Sequence, residues 1–143
     1  AIGEAKAPPV IDAVKVHLLD ETISIIDAPP GTSCPMVESI KDSDYVVLVS
    51  DSTPFGLHDL KLAWQVVDKI GLKCGVVINR ADVGDDRTHR FCEEQKIPVL
   101  MEIPESKEIA QVYASGGLLL QKLPEYENDF KAFFQQIEKA VNE

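Results

Sequence analysis

Basic residues are scarce in this sequence, which has 14 lysines and arginines against 24 aspartates and glutamates and a formal net charge of -10. Such a chain repels a phosphate backbone, so we expect no nucleic-acid partner. No apolar run reaches the length of a membrane-spanning helix, and no charged-then-apolar leader opens the sequence. These absences predict a cytoplasmic protein that does not bind membranes.

Cysteine is rare as well, and Cys34, Cys74 and Cys92 lie far apart without a CxxC pair. This pattern predicts reduced thiols, and neither a disulfide framework nor a complete metal site. Cys74 begins an apolar run and is expected in the core. Cys34 adjoins a loop at a helix start, where a small packing residue and a redox-active thiol are both reasonable interpretations.

Apolar residues are plentiful, at 45% of the 143 residues, which is enough for one domain with a real core over residues 1–143. Four short apolar runs do not alternate with polar residues, as is typical of parallel strands buried on both faces. They cover residues 23–26, 45–49, 74–78 and 98–103. Stretches with helical spacing surround them, over residues 7–20, 56–71, 85–96, 105–117 and 124–141. This alternation predicts the α/β class, with an open, mainly parallel sheet and flanking helices.

Polar loops follow all four predicted strands, with the sequences DAPPGTSCP, SDSTPFG, NRAD and IPES. Ligands of open α/β sheets bind beyond the carboxyl ends of the strands, so these loops predict one site at one edge. In the first loop, Asp27 can hold Mg²⁺ through its water shell. Pro30 directs the chain, and Gly31 lets a backbone N–H approach a phosphate. The alternative is that these residues only form a turn.

The NRAD loop offers groups that suit a purine base. The amide of Asn79 can donate and accept at the edge of a base, and Asp82 can accept two N–H groups of guanine. Arg80 lies between them, and Pro104 in the last loop can flank a base. An Asx-turn that closes the strand accounts for Asn79 equally well, so the chemistry alone leaves the base open.

The remaining loop residues are best interpreted as helix starts. In SDSTPFG, Thr53 or Ser52 can cap a helix with Pro54 in its first turn. His58 and Asp59 are interpreted as exposed helix residues, and Glu105 as a helix cap.

The stretch from Ile25 to Asp82 carries a resemblance, because DxPPG, TPFGLHDL and VINR occur in this order. It resembles the C-terminal half of MinD/ParA-type P-loop ATPases, in particular MinD superfamily ATPases with an inserted ferredoxin domain. Such sequences are also labelled as cobyrinic acid a,c-diamide synthase-type nucleotide-binding domains. The resemblance extends over about residues 2–120.

The resemblance implies specific roles and partners. Asp27 is similar to the Walker B aspartate near Mg²⁺, Gly31 to the glycine that meets the γ-phosphate, and Asn79 to the asparagine that reads adenine. It therefore implies ATP rather than GTP, and an ATP-dependent switch that forms a homodimer. It also implies an iron–sulfur or redox partner protein and 4Fe-4S clusters held by the inserted domain.

The sequence lacks three features of the family pattern, which are the GKGGxGKT loop, the switch I aspartate and the cysteine-rich insert. We therefore expect this chain to be the C-terminal portion of a larger ATPase, and to bind nucleotide weakly or not at all alone. An incomplete sheet exposes an edge, which predicts self-association. Two alternatives stay open: a non-catalytic interaction module that has lost its P-loop, and part of a cobyrinic acid a,c-diamide synthase-type enzyme.

The last helical stretch has apolar residues on one face, among them Phe130, Phe133 and Ile137. A membrane-binding helix needs flanking basic residues, which this acidic tail lacks. We expect the tail to pack onto the sheet.

Overall fold

A computed structural model of the protein describes residues 7–16 and 23–143. Within this part, a three-stranded parallel sheet has the order β1-β2-β3. Its strands are β1 (Val46–Asp51), β2 (Cys74–Asn79) and β3 (Val99–Ile103). The α-helices are α1 (Ala7–Lys15), α2 (Cys34–Ile40), α3 (Pro54–Ile70), α4 (Arg87–Gln95), α5 (Lys107–Ala114), α6 (Leu119–Lys122) and α7 (Glu127–Asn142), with a 3-10 turn at Pro124–Tyr126.

The sheet confirms three of the four predicted strands and the predicted α/β class. Strand β2 lies in the centre, where Val46 of β1 pairs with Cys74, and Val76 pairs with Val99 of β3. Helices cover both faces, so Val76 and Ile78 on one face are 0% exposed and Val77 on the other face is 6% exposed. This burial on both faces is the reason why the sequence of β2 does not alternate.

The fourth predicted strand, over residues 23–26, was wrong. The segment forms no strand in the described structure, and Ile25 is 90% exposed. An extended apolar segment is buried only where neighbouring strands pair with its backbone and helices cover its faces. Among the described residues no strand pairs with this segment, and β1 pairs with β2 alone.

Helix α3 positions one side of the strand ends. It begins at Thr53, whose side chain accepts a hydrogen bond from the N–H of Gly56, and it ends at Gly71. This confirms the predicted cap and stop. Trp64 of α3 packs edge-to-face against Phe91 of α4, with ring centroids 5.6 Å apart. Together α2, α3 and α4 enclose the larger core cluster on one face of the sheet.

Helix α7 packs on the other face of the sheet, as the sequence predicts. Phe130, Phe133 and Ile137 lie against the cluster formed by Val77, Leu100 and Met101. The side-chain amide of Gln136 donates to the carbonyl of Leu100 at 3.1 Å, and Lys73 donates to the carbonyl of Ala140 at 2.7 Å.

In the described part of the chain no helix is long and apolar enough to cross a membrane.

Helix α1 confirms residues 7–15 of the helix predicted over residues 7–20. Lys15 donates to the carbonyl of Glu38 at 2.5 Å and pairs with Asp42 at 3.1 Å, which fixes α1 beside α2. Leu18, predicted on the same helix face, lies outside the described residues.

All three cysteines are free thiols, as predicted, and their environments differ. Cys34 is exposed, whereas Cys92 is 1% exposed and burial raises its pKa to about 11.

We expect iodoacetamide at pH 8 to modify Cys34 at least roughly a hundredfold faster than Cys92, because only the thiolate reacts. Peptide mass spectrometry against time measures both rates. In denaturant the two should react alike; equal rates in the folded chain would contradict the buried position of Cys92.

Candidate functional site

A cleft of about 320 Å³ lies where β1 and β2 end. It exists because the two strands stop in register, with Asp51 paired to Asn79, and because α3 starts immediately beyond β1. The lining residues come from β1, the start of α3 and the end of β2: Val49, Ser50, Asp51, Gly56, Asp59, Asn79 and Arg80. The cleft is therefore at the carboxyl edge of the sheet, where the sequence predicts a site.

Asp51 is fixed at the base of α3. Its Oδ1 accepts the backbone N–H of Thr53 at 3.0 Å and the hydroxyl of Thr53 at 2.5 Å. These hydrogen bonds hold the pKa of the carboxyl below its ordinary value, with a smaller contribution from Arg80. A Cβ atom at residue 56 would lie 2.1 Å from this Oδ1, so the carboxylate needs glycine there.

Asn79 is exposed at the end of β2. Its Oδ1 accepts the backbone N–H of Arg80 at 3.0 Å, and Arg80 has a φ of 52°. This hydrogen bond reaches only the next residue, so it is not the predicted Asx-turn, in which the side chain accepts from the residue two positions on. It also orients the side chain, because with Oδ1 engaged the Nδ2 amide can donate to a ligand in the cleft.

The loops after β2 and β3 are joined to each other. Arg80 Nε donates to Glu105 Oε2 at 2.8 Å, and this ion pair raises the pKa of the guanidinium. Asp82 Oδ1 accepts the backbone N–H of Glu105 at 2.6 Å, and the N–H of Ala81 donates to the carbonyl of Ile103 at 3.0 Å. Asp82 thus already uses one oxygen to hold the neighbouring loop.

The predicted site residues do not all meet in this cleft. Asn79 and Arg80 line it, but Asp27, Pro30, Gly31, Asp82 and Pro104 do not. The first loop contacts a different surface, since Thr32 lines a groove of about 400 Å³ with Val37 and the C-terminal half of α3. Asp27 and Gly31 are exposed in the described structure, and their nucleotide roles stay predictions.

Asp51 is the cleft residue that sequence reasoning missed. It closes a strand just as Asp27 closes an apolar run, so the same pattern could have singled it out. Sequence reasoning did not single it out, because Thr53 and Pro54 already account for the loop as the start of a helix. Asp59 is an exposed helix residue, as predicted, and it also lines the cleft.

Metal ligands are sparse in the described part of the chain, which contains no group of three histidine, cysteine or acidic side chains that could hold an ion. A magnesium ion fits only in the manner typical of nucleotide sites, where one carboxylate and the phosphates bind it. The cysteines do not fit an iron–sulfur cluster, because Cys92 is buried and no such group forms among the described residues.

No family model matches this chain. Among curated proteins, it is 29% identical to an uncharacterised protein of Methanocaldococcus jannaschii over 95% of this chain and 46% of that protein. A second uncharacterised protein of the same organism is 20% identical over 98% of this chain and 49% of its own length. The chain spans about half the length of the curated relatives it matches.

Two solved structures share the fold. The crystal structure of the cell division ATPase MinD of Pyrococcus furiosus aligns with a TM-score of 0.66 and 26% identity over 93% of this chain and 56% of that protein. The septum site-determining protein MinD of Pyrococcus horikoshii, complexed with Mg-ADP, aligns with a TM-score of 0.65 and 24% identity over 94% and 55%. The described parallel sheet and its helices therefore have a MinD-like fold.

Proposed function

We propose that this chain is the C-terminal part of a MinD-like nucleotide-binding ATPase that acts as an ATP-dependent dimerising switch. The observation that carries the proposal is the cleft with Asn79 at the carboxyl edge of a MinD-like parallel sheet. An ATPase and a structure holding Mg-ADP share this fold, which supports a nucleotide as the ligand.

Asn79 and Arg80 take the base end of the nucleotide in this proposal, and Pro104 flanks it. The amide Nδ2 of Asn79 donates to a purine ring, since its Oδ1 is held by the N–H of Arg80. Asp82 holds the loop after β3 through Glu105 and so keeps Pro104 in place. The preference for adenine comes from the resemblance of VINR to the family motif.

Asp27, Pro30 and Gly31 serve the phosphate end in this proposal. Asp27 binds Mg²⁺ through water, and the N–H of Gly31 meets the γ-phosphate. A phosphate-binding loop from the remainder of a longer protein provides most of the affinity, and water attacks the γ-phosphate in line. The first loop then moves toward the cleft when nucleotide binds, as the switch loops of nucleotide hydrolases do.

The proposal also includes a cellular role. We place the protein in the cytoplasm, serving an iron–sulfur or redox partner, with any 4Fe-4S cluster held outside this sequence. The homodimer in this proposal comes from the resemblance to MinD/ParA-type ATPases.

The test is ATP hydrolysis by the complete native protein that contains this sequence. We expect the Asp27→Asn substitution to lower kcat at least about a hundredfold, because the Mg²⁺ ligand is weakened. The matched control is Asp44→Asn, which removes an exposed carboxylate just before β1, at the other end of that strand.

Two results would contradict this proposal. Hydrolysis by Asp27→Asn at the unaltered rate would remove Asp27 from the site. Absence of both Mg-ATP binding and hydrolysis in the complete protein would favour the non-catalytic interaction module.

A further inference from the structure

Asp51 and Asn79 form one row of the sheet. They are paired in register on adjacent parallel strands, so their side chains leave the same face, and both line the cleft. Neighbouring strands are about 4.8 Å apart. When one group of a ligand contacts Asn79, the adjacent group of that ligand therefore lies close to Asp51.

The carboxylate of Asp51 has one oxygen available. Both hydrogen bonds from Thr53 go to Oδ1, and none of the described residues donates to Oδ2. The oxygen belongs to a side chain that is already ordered, because Thr53 and the close approach of Gly56 fix it. An ordered acceptor loses little entropy when a donor binds.

The charge of the cleft decides which part of a nucleotide fits there. Asp51 and Asp59 are acidic, and the guanidinium of Arg80 is already paired with Glu105. The lining is therefore negative and repels phosphates, whereas it suits a neutral group that carries hydrogen-bond donors.

We propose that Asp51 is a ligand-binding residue whose Oδ2 accepts a hydrogen bond from a ribose hydroxyl, while the base of the same nucleoside lies against Asn79. The cleft thus holds the nucleoside end of the ligand, and the phosphates extend away from it. This inference rests on the proposed function, because it names the group that the same site recognises.

The test is a titration of the complete native protein that contains this sequence, isotope-labelled, with adenosine and with 2′,3′-dideoxyadenosine at millimolar concentration, observed by amide chemical shifts. We expect adenosine to shift the amides of Asp51, Asn79 and Arg80 and to bind about tenfold more tightly than the dideoxy compound. The Asp51→Asn variant keeps an Oδ1 acceptor for Thr53 but replaces the free oxygen with a donor. It should fold and lose that preference, and Asp44→Asn should keep it.

Two results would overturn the inference. Either the Asp51→Asn variant, with an otherwise native spectrum, prefers adenosine as the unaltered chain does, or neither nucleoside shifts the cleft amides saturably. Neither result would refute the proposed ATPase, which is judged by Asp27 and hydrolysis in the complete protein.

Discussion

Replacing Ile78 with alanine is expected to lower the free energy of unfolding by about 3 kcal/mol, within the range for large-to-small core substitutions. Ile78 is 0% exposed in the central strand, with covered faces on both sides, so the surrounding side chains cannot easily collapse into the space. The matched control is Ile25→Ala, in the extended segment that the structure leaves exposed. It should change the free energy by less than about 0.5 kcal/mol.

Urea unfolding measures both variants, with the fluorescence of Trp64 as the signal. Trp64 is the only tryptophan in the chain and packs against Phe91, so its emission reports the loss of the core. If Ile25→Ala destabilised the chain as much as Ile78→Ala, residues 23–26 would be buried in solution, and the strand predicted from the sequence would be correct after all.

Replacing Gly84 with alanine is expected to cost about 2–3 kcal/mol, comparable to overpacking in a core. The added Cβ would lie 1.8 Å from the backbone carbonyl oxygen of Ser52, and a backbone atom cannot move aside as a flexible side chain can. The loop after β2 would have to withdraw. That movement breaks the hydrogen bond from the Ser52 hydroxyl to the carbonyl of Ala81, which is 3.2 Å long.

The control for this substitution is Gly117→Ala, where the nearest atom to an added Cβ would be Cγ1 of Val112, at 3.3 Å. Differential scanning calorimetry should show a marked fall in the Tm of Gly84→Ala and a change of at most a few degrees for Gly117→Ala. Because Ser52 follows Asp51 directly, the first variant should also perturb the cleft. Equal Tm values for Gly84→Ala and the unaltered chain would mean that the loop does not pack against Ser52.

Sequence reasoning succeeded where a local pattern has one physical cause. The cap at Thr53 and the stop at Gly71 are set by neighbouring backbone groups, and both ends of α3 were predicted correctly. The run of β2 was equally clear, because a short, continuous apolar run between turn residues is typical of a strand buried on both faces. The short, Leu-rich helix α6 was not predicted from the sequence, and none of its residues is fully buried.

The failures concern contacts between distant segments. The apolar run at residues 23–26 indicates a tendency to be buried, but pairing depends on which strand lies beside it, and the run itself does not contain that information. The predicted cap at Glu105 is wrong, because Ser106 caps α5 and the side chain of Glu105 pairs with Arg80, 25 residues earlier. The strand-end pattern that marks Asp27 also marks Asp51, but the register that pairs Asp51 with Asn79 is set only in the assembled sheet.

The parallel register has a consequence for how the chain folds as it leaves the ribosome. Each pairing, such as Val46 with Cys74 and Val76 with Val99, spans a complete helix, so no strand can pair with the next one made until that helix has emerged. Helix α7 is synthesised after the three described strands, and until then the face formed by Val77, Leu100 and Met101 lacks the packing of that helix. The nascent sheet therefore exposes apolar surface late in synthesis, the period in which a chaperone would protect it.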